Sequence, residues 1–298
     1  MKVLVIGATG RVASHVTNLL LAARTPIRVL VRHGAKAKAA FLRHEDARLE
    51  IVDGPLDDKE TLRRAFEDID VAFQALGNGP NQVPIEKGLI DVAARMRVGH
   101  VVRLSILGAD RHTIYEMGRA HGELDAYLAA SGVPHTFLRP SYFTSNLLGV
   151  AGPIASEDRW YGLAPTGRVA AIDPLDVAAA AATVIRGPRP RNEPIELTGF
   201  ESLTFPEMAE RLGAVLGRPI RYVTVEEPIL RRAMASRSIP EWKIDMTVGF
   251  EKAMEAGLHA EVSNGFRSIT GKPPRPIDDF IRENRIAFRP ISRTIPSW

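Results

Sequence analysis

Short apolar runs punctuate the first half of the chain, and between them apolar residues recur three and four positions apart. The runs predict strands at 2–6, 27–31, 48–52, 70–74, 101–104 and 135–139. The intervening periodicity predicts helices at 11–23, 34–42, 59–66, 82–97 and 117–131. Strands rich in valine and isoleucine suit a parallel sheet covered on both faces. Joined by right-handed crossovers, they give an α/β, doubly wound parallel sheet of Rossmann-like kind, with its ligand crevice at the carboxyl ends of the strands.

After Pro140 the rhythm breaks. The stretch 149–166 mixes prolines and glycines with Trp160 and Tyr161 and reads as a long loop or lid. Order returns with a strand near 168–172, a helix at 174–186 and a strand at 195–197. Thr204 is placed to cap a helix running to Leu216, with Pro206 and Glu207 in its first turn. A strand at 220–225, helices near 226–236 and 240–256 and a short helix at about 278–284 complete the pattern. The expected division is a first domain at 1–148, also receiving strands from about 168–198, and a smaller, interleaved C-terminal lobe at 149–298. The helices of that lobe and the segment 149–166 are expected to close over the crevice, with Phe143, Trp160 and Tyr161 either walling a pocket or serving as ordinary core.

The chain of 298 residues is long enough for a full core, and a quarter of its residues are charged. It contains no cysteine, which excludes disulfides, thiolate metal sites and cysteine nucleophiles; no metal site is expected. The formal charge of +4 is dispersed. Its densest basic group, Arg186, Arg189 and Arg191, reads as a surface loop, so no nucleic-acid partner is expected. The apolar run Val177 to Ile185 is too short to span a bilayer, and the N-terminal run is a strand, not a signal peptide. A cytoplasmic protein, monomer or homodimer, with no membrane partner is expected.

The densest chemical signal lies at the start. An apolar strand runs into Gly7-Ala8-Thr9-Gly10, and a helix begins at Arg11. Such a turn delivers a helix N-terminus whose free N–H groups suit a phosphate. Gly7 would allow the tight turn, Gly10 a close approach to a pyrophosphate, and Ala13 a helix held near the sheet. The same glycines would also serve an ordinary strand–helix turn. After the second strand, where an NAD-preferring fold places a carboxylate, stand Arg32, His33 and Gly34, with Lys36 and Lys38 close behind. A guanidinium there can grip a 2′-phosphate, so NADP(H) is preferred over NAD(H), unless Arg32 and both lysines are only solvated residues at a helix start. Asp53 ends the third strand, in the usual place to meet the adenine edge, unless it only caps its own turn. Leu76, Gly77, Asn78 and Gly79 follow the fourth strand, where small residues suit passage of the ribose and pyrophosphate.

The fifth strand leads into Ser105, whose hydroxyl could bind nicotinamide ribose or a substrate carbonyl, or simply satisfy a turn. Carbonyl reduction needs a proton donor. Tyr115 and Arg119, four apart, would share a helical face, though arginine cannot relay a proton as lysine does. His121 titrates near neutral pH when unperturbed and has Asp125 one turn on to orient it, which makes it the better candidate.

Gly7-Ala8-Thr9-Gly10 with Arg11, Arg32, Ser105-Ile106-Leu107-Gly108, His121 through Asp125, Ser131-Gly132-Val133-Pro134 and Leu138-Arg139-Pro140 together resemble the NmrA-like group of atypical short-chain dehydrogenases/reductases. So do Phe143-Thr-Ser-Asn146, Leu203 through Met208 and Thr270 through Arg275, so the resemblance spans nearly the whole chain. It implies NADP(H) binding by the first domain, with Gly7, Thr9, Gly10, Arg11 and Arg32 as contacts, and a second lobe that takes mainly substrate. It also implies an NADPH-dependent reductase of a quinone-like or other conjugated small molecule, the group including quinone and dye reductases. Some members are regulators, so a non-catalytic NADP(H) sensor with a protein partner is the alternative. The Tyr-x-x-x-Lys pair is absent, and Asp125 stands where relatives usually carry glutamate.

Overall fold

Val3–Ile6 carries no polar side chain and is buried along its whole length, as a strand covered on both faces must be. In the computed structural model, which describes residues 1–41, 48–187 and 193–290, this strand is β1, third in a seven-stranded sheet. The helix α1 (Arg11–Ala22) follows, then β2 (Ile27–Val31), α2 (Gly34–Phe41), β3 (Leu49–Asp53) and α3 (Lys59–Phe66). Next come β4 (Val71–Gln74), α4 (Gln82–Arg95), β5 (His100–Leu104), α5 (Glu116–Ala130) and β6 (His135–Pro140). Strand Ile195–Leu197 completes the order β3-β2-β1-β4-β5-β6-(195–197), every pair parallel. The expected end of α2 at residue 42, and Arg189 and Arg191, lie outside the described residues.

The chain divides into two units. The first comprises Met1–Pro140, Pro174–Leu197 and Ser263–Pro273. On one face of its sheet, α3, α4 and α5 bury Leu62, Phe66, Leu89, Leu124 and Leu128 against Leu4, Leu30 and Phe137. On the other, α1 packs along helix Pro174–Arg186. Strand order reverses between β1 and β4, so the carboxyl ends around that switch gather the segments after β1, β2, β4 and β5 at one edge.

The second unit comprises Ser141–Asp173, Thr198–Val262 and Pro274–Trp298, described as far as residue 290. Its core joins Tyr142, Leu147, Ile154, Trp160, Phe205, Met208, Leu212 and Ile281. Helix Phe205–Leu216 starts at the expected N-cap Thr204, and there forms a capping box, the Thr204 hydroxyl accepting the Glu207 N–H while the Glu207 carboxylate accepts the Thr204 N–H. The segment 149–166 is not the expected long loop. It carries the end of a 3-10 helix Thr144–Val150, helix Ala151–Glu157 and strand Arg159–Gly162. Pro153 sits in that helix's first turn, where proline is tolerated, and the strand pairs in parallel with Arg221–Thr224. Trp160 is core, not pocket wall, its ring edge-on to Phe205 and Tyr222, which decides between the two readings its sequence left open. Regular strand at 168–172 shortens to Arg168–Val169, and helix Gly265–Thr270 was not anticipated.

Successive N–H groups of residues 163–167 are held by side chains. Glu251 accepts from Leu163 at 2.5 Å, the Tyr222 hydroxyl from Ala164 at 2.9 Å, and Glu255 from Thr166 and Gly167 at 3.1 and 2.7 Å. Burial raises the Glu251 carboxyl from 4.5 to about 7, against the opposing effect of the Leu163 N–H. A folded-state value above the unfolded one favours the protonated form. Its stabilisation is complete below 4.5 and is lost as pH rises through about 7. The melting temperature is therefore expected to fall between about pH 4.5 and about pH 7, with a shallower slope in Glu251→Gln. Equal slopes in thermal melts of the two proteins would refute this.

Candidate functional site

The turn after β1 has the geometry its glycines suggest. Gly7 adopts φ +80°, and the Gly10 N–H donates to the Gly7 carbonyl at 2.7 Å. Gly10 is the N-cap of α1, with no side chain capping the helix and no acid in its first turn. The first-turn N–H groups therefore lack both usual competitors for an anion. Thr9 is half-buried, Gly10 and Arg11 are exposed, and Ala13 is buried.

Arg32 directly follows β2 and is exposed, with no hydrogen bond or ion pair to a described residue. Lys36 and Lys38 are exposed on α2. Asp53 ends β3 and is exposed, its carboxyl lying against the Gly34 backbone so closely that a Cβ on Gly34 would stand 3.0 Å from Oδ2. Leu76 is half-buried and Gly77 exposed beyond β4, and no atom stands within 4 Å of where a Gly77 Cβ would be. These residues all belong to the first unit and follow the carboxyl ends of its strands. Glycine turn, uncapped helix and an available guanidinium are the features a dinucleotide needs, so the residues present fit one.

The catalytic candidates are arranged differently from the expectation. Tyr115 precedes α5 as its N-cap, and so does not share a helical face with Arg119. The tyrosine ring is buried and its hydroxyl donates to the Leu107 carbonyl at 3.1 Å, while Arg119 donates to the Thr113 carbonyl at 3.0 Å. Burial holds the phenol well above its ordinary value of 10.0. The phenol is thus buried and its proton is engaged by the Leu107 carbonyl. His121 is also buried, and burial, with Arg103 and Arg139 adding to it, pushes its imidazole well below 6.5. This corrects the expectation of a neutral-range titration. Ser105 is buried and donates to Asp125 Oδ2 at 2.9 Å.

What sequence reasoning missed is a buried polar cluster beneath α4 and α5. In-register pairing sets Gln74 beside Arg103, and Arg103 beside Phe137; the two-residue period of a strand puts Ser105 and Arg139 on that same face. Arg103, 0% exposed, donates through Nε to Glu86 Oε2 at 3.1 Å and through Nη1 to Asp125 Oδ1 at 2.6 Å. Arg139 donates twice to Asp125 Oδ2, at 3.1 and 2.9 Å. Gln74 and Gln82 donate to the two Glu86 oxygens at 2.9 and 2.8 Å. The pairs Gln82/Glu86 and His121/Asp125, each one helical turn apart, were the available signal, together with an arginine inside the apolar strand His100–Leu104.

Among the described residues no helix is long and apolar enough to cross a membrane. No group of three His, Cys, Asp or Glu residues stands ready for a metal among them. The chain is 31% identical over 286 residues to an NAD(P)H azoreductase of Xenophilus azovorans, covering 96% of this chain and 99% of that protein. It is 32% identical to a (4-alkanoyl-5-oxo-2,5-dihydrofuran-3-yl)methyl phosphate reductase of Streptomyces griseus, covering 97% and 99%. The fold superposes with a TM-score of 0.87 on an NADPH-dependent quinone oxidoreductase of Escherichia coli complexed with NADPH, at 23% identity, covering 95% of this chain and 99% of that one. The family model described as NmrA-like matches residues 1–266. The chain belongs to the NmrA-like family.

Proposed function

We propose that this protein is an NAD(P)H-dependent reductase, preferring NADPH, that delivers a hydride to a flat, conjugated small molecule such as a quinone or an azo compound. One observation carries the reading: an uncapped helix N-terminus behind a glycine turn shares a sheet edge with an arginine that has no described partner. The full-length similarity to an NAD(P)H azoreductase supports it. The first-turn N–H groups of α1 would take the pyrophosphate, with Thr9 and Arg11 beside them. Arg32 would take the 2′-phosphate, Asp53 the adenine edge, and Leu76 and Gly77 the ribose. Bound dihydronicotinamide supplies the hydride. Ser105, anchored by Asp125, would orient the ribose or the acceptor. Neither Tyr115 nor His121 has a free proton to give, so water completes protonation, which an electron-poor ring permits.

Oxidation of NADPH with a panel of quinones, azo dyes and enones tests the reading. Rates no higher than the cofactor-only background across the panel would overturn it. In that event, NADPH binding retained without turnover would favour a non-catalytic sensor, a reading that the sequestered Tyr115 and His121 support. For the cofactor, Arg32→Glu is expected to weaken NADPH binding by about 1.5–3 kcal/mol, the order of a lost charge-assisted hydrogen bond, and NADH binding far less. Calorimetric titration of both cofactors checks this; equal losses would mean that Arg32 does not read the phosphate.

A further inference from the structure

His121 does not serve as an acid in the proposed reaction, yet it lies in the buried charged cluster of the first unit. Around it stand Arg103 from β5, Arg139 from β6, Asp125 from its own helix and Glu86 from α4. Gln82 of α4 and Asn78 of the loop between β4 and α4 complete its surroundings. The Arg103 Nη2 lies 3.3 Å from His121 Nδ1. A guanidinium has only donors, so Nδ1 must present its lone pair. The one ring proton is then on Nε2, which donates to Asn78 Oδ1 at 3.0 Å. A protonated Nε2 cannot accept from the Gln82 amide 3.3 Å away, and that amide donates to Glu86 instead. With its oxygen held by the imidazole, Asn78 turns its Nδ2 to Met117 Sδ at 2.9 Å.

The opposite tautomer would put an N–H against the guanidinium and require the Asn78 amide to turn over. Doubly protonated imidazole would set a third cation between Arg103 and Arg139, whose shared carboxylate, Asp125, is already taken by both. The structure assigns Arg103 as a positioning residue: it fixes His121 as the neutral Nε2–H imidazole, and through it the orientation of Asn78 in the loop that carries Leu76 and Gly77. The role of that loop in holding the nicotinamide cofactor rests on the function proposed above. The tautomer assignment does not. By this arrangement the cofactor loop keeps one conformation across the neutral pH range, because the imidazole that holds Asn78 stays neutral there.

Long-range proton–nitrogen correlation spectra of the 15N-labelled protein test this, with His121→Asn identifying the His121 signals. The expected result is an Nε2–H pattern that does not titrate between about pH 5.5 and about pH 8.5. In Arg103→Gln the pattern is expected to become a mixture of tautomers or to titrate in the neutral range. NADPH affinity, read by cofactor fluorescence, is expected to fall about tenfold, the worth of one hydrogen bond, while Arg103→Lys stays within about threefold. An Nδ1–H pattern or a titrating imidazole in the wild type would overturn the assignment. So would an Arg103→Gln protein that melts earlier yet keeps the wild-type His121 pattern and NADPH affinity, since that is what a purely structural arginine gives. If Arg103→Gln does not fold, Asn78→Ala replaces it. There the His121 pattern is expected to persist and NADPH affinity to fall about tenfold; unchanged affinity would refute the positioning role. A wild type that binds no NADPH would sink the cofactor reading, and the spectra would still decide the Arg103–His121 assignment.

Discussion

Asp125→Ala is expected to cost about 3–5 kcal/mol of stability, the usual penalty for removing one partner of a buried ion pair. Asp125 is buried and accepts from Arg103 Nη1 at 2.6 Å, from Ser105 Oγ at 2.9 Å and from both Nε and Nη2 of Arg139. Its removal leaves a wholly buried guanidinium with Glu86 as its only carboxylate among the described residues, and frees the second guanidinium, Arg139, which is partly exposed and can turn to water. The cost therefore falls chiefly on Arg103. Asp125→Asn keeps the volume and one acceptor oxygen, so it is expected to cost less than alanine while still losing the charge. Urea titrations of the three proteins check the order. A loss below about 1 kcal/mol for alanine would mean that Glu86 alone compensates Arg103.

The contrast between glycine turn and polar cluster explains which parts of this protein were legible in its sequence. Gly7 through Arg11 are contiguous, so the strand, the turn and the helix N-terminus they form could be read in one window. The six main strands were legible for the same reason: runs such as Val3–Ile6 are buried on both faces and need no distant partner to reveal their period. Arg103, Gln74 and Glu86 belong to three elements and meet only through strand register and the helix that covers it. Within His100–Leu104 an arginine gives no sign of whether it faces water or a carboxylate. Tyr115 was misread because four-residue spacing to Arg119 is helical only if the helix has begun, and it begins at Glu116. At 149–166 the prolines and glycines suggested a loop, whereas strand Arg159–Gly162 is stabilised by Arg221–Thr224, about sixty residues away.

Gly7→Ala is expected to destabilise the protein by about 2–5 kcal/mol, from two sources. The residue sits at φ +80°, where a Cβ meets the following carbonyl, at roughly 1–2 kcal/mol. Its Cβ would also lie 2.3 Å from the Ala75 carbonyl oxygen. That oxygen belongs to backbone just past β4, whose Ala75 N–H donates to Ile6 at 3.3 Å, so relief requires β1 and β4 to part at the site's own edge. Overpacking of this kind adds roughly 1–3 kcal/mol. Relaxation would displace the Gly7 carbonyl, which accepts the Gly10 N–H at 2.7 Å, and with it the first turn of α1. Whatever population remains folded is therefore expected to bind NADPH more weakly as well. Gly77→Ala is the control, because nothing stands within 4 Å of its Cβ position, and its effect on stability is expected to stay within about 0.5 kcal/mol. Urea titrations of both variants decide the matter: a Gly7→Ala protein as stable as Gly77→Ala would mean that the turn can open without disturbing the sheet, and the tight approach of β1 to β4 would not be what shapes the helix N-terminus.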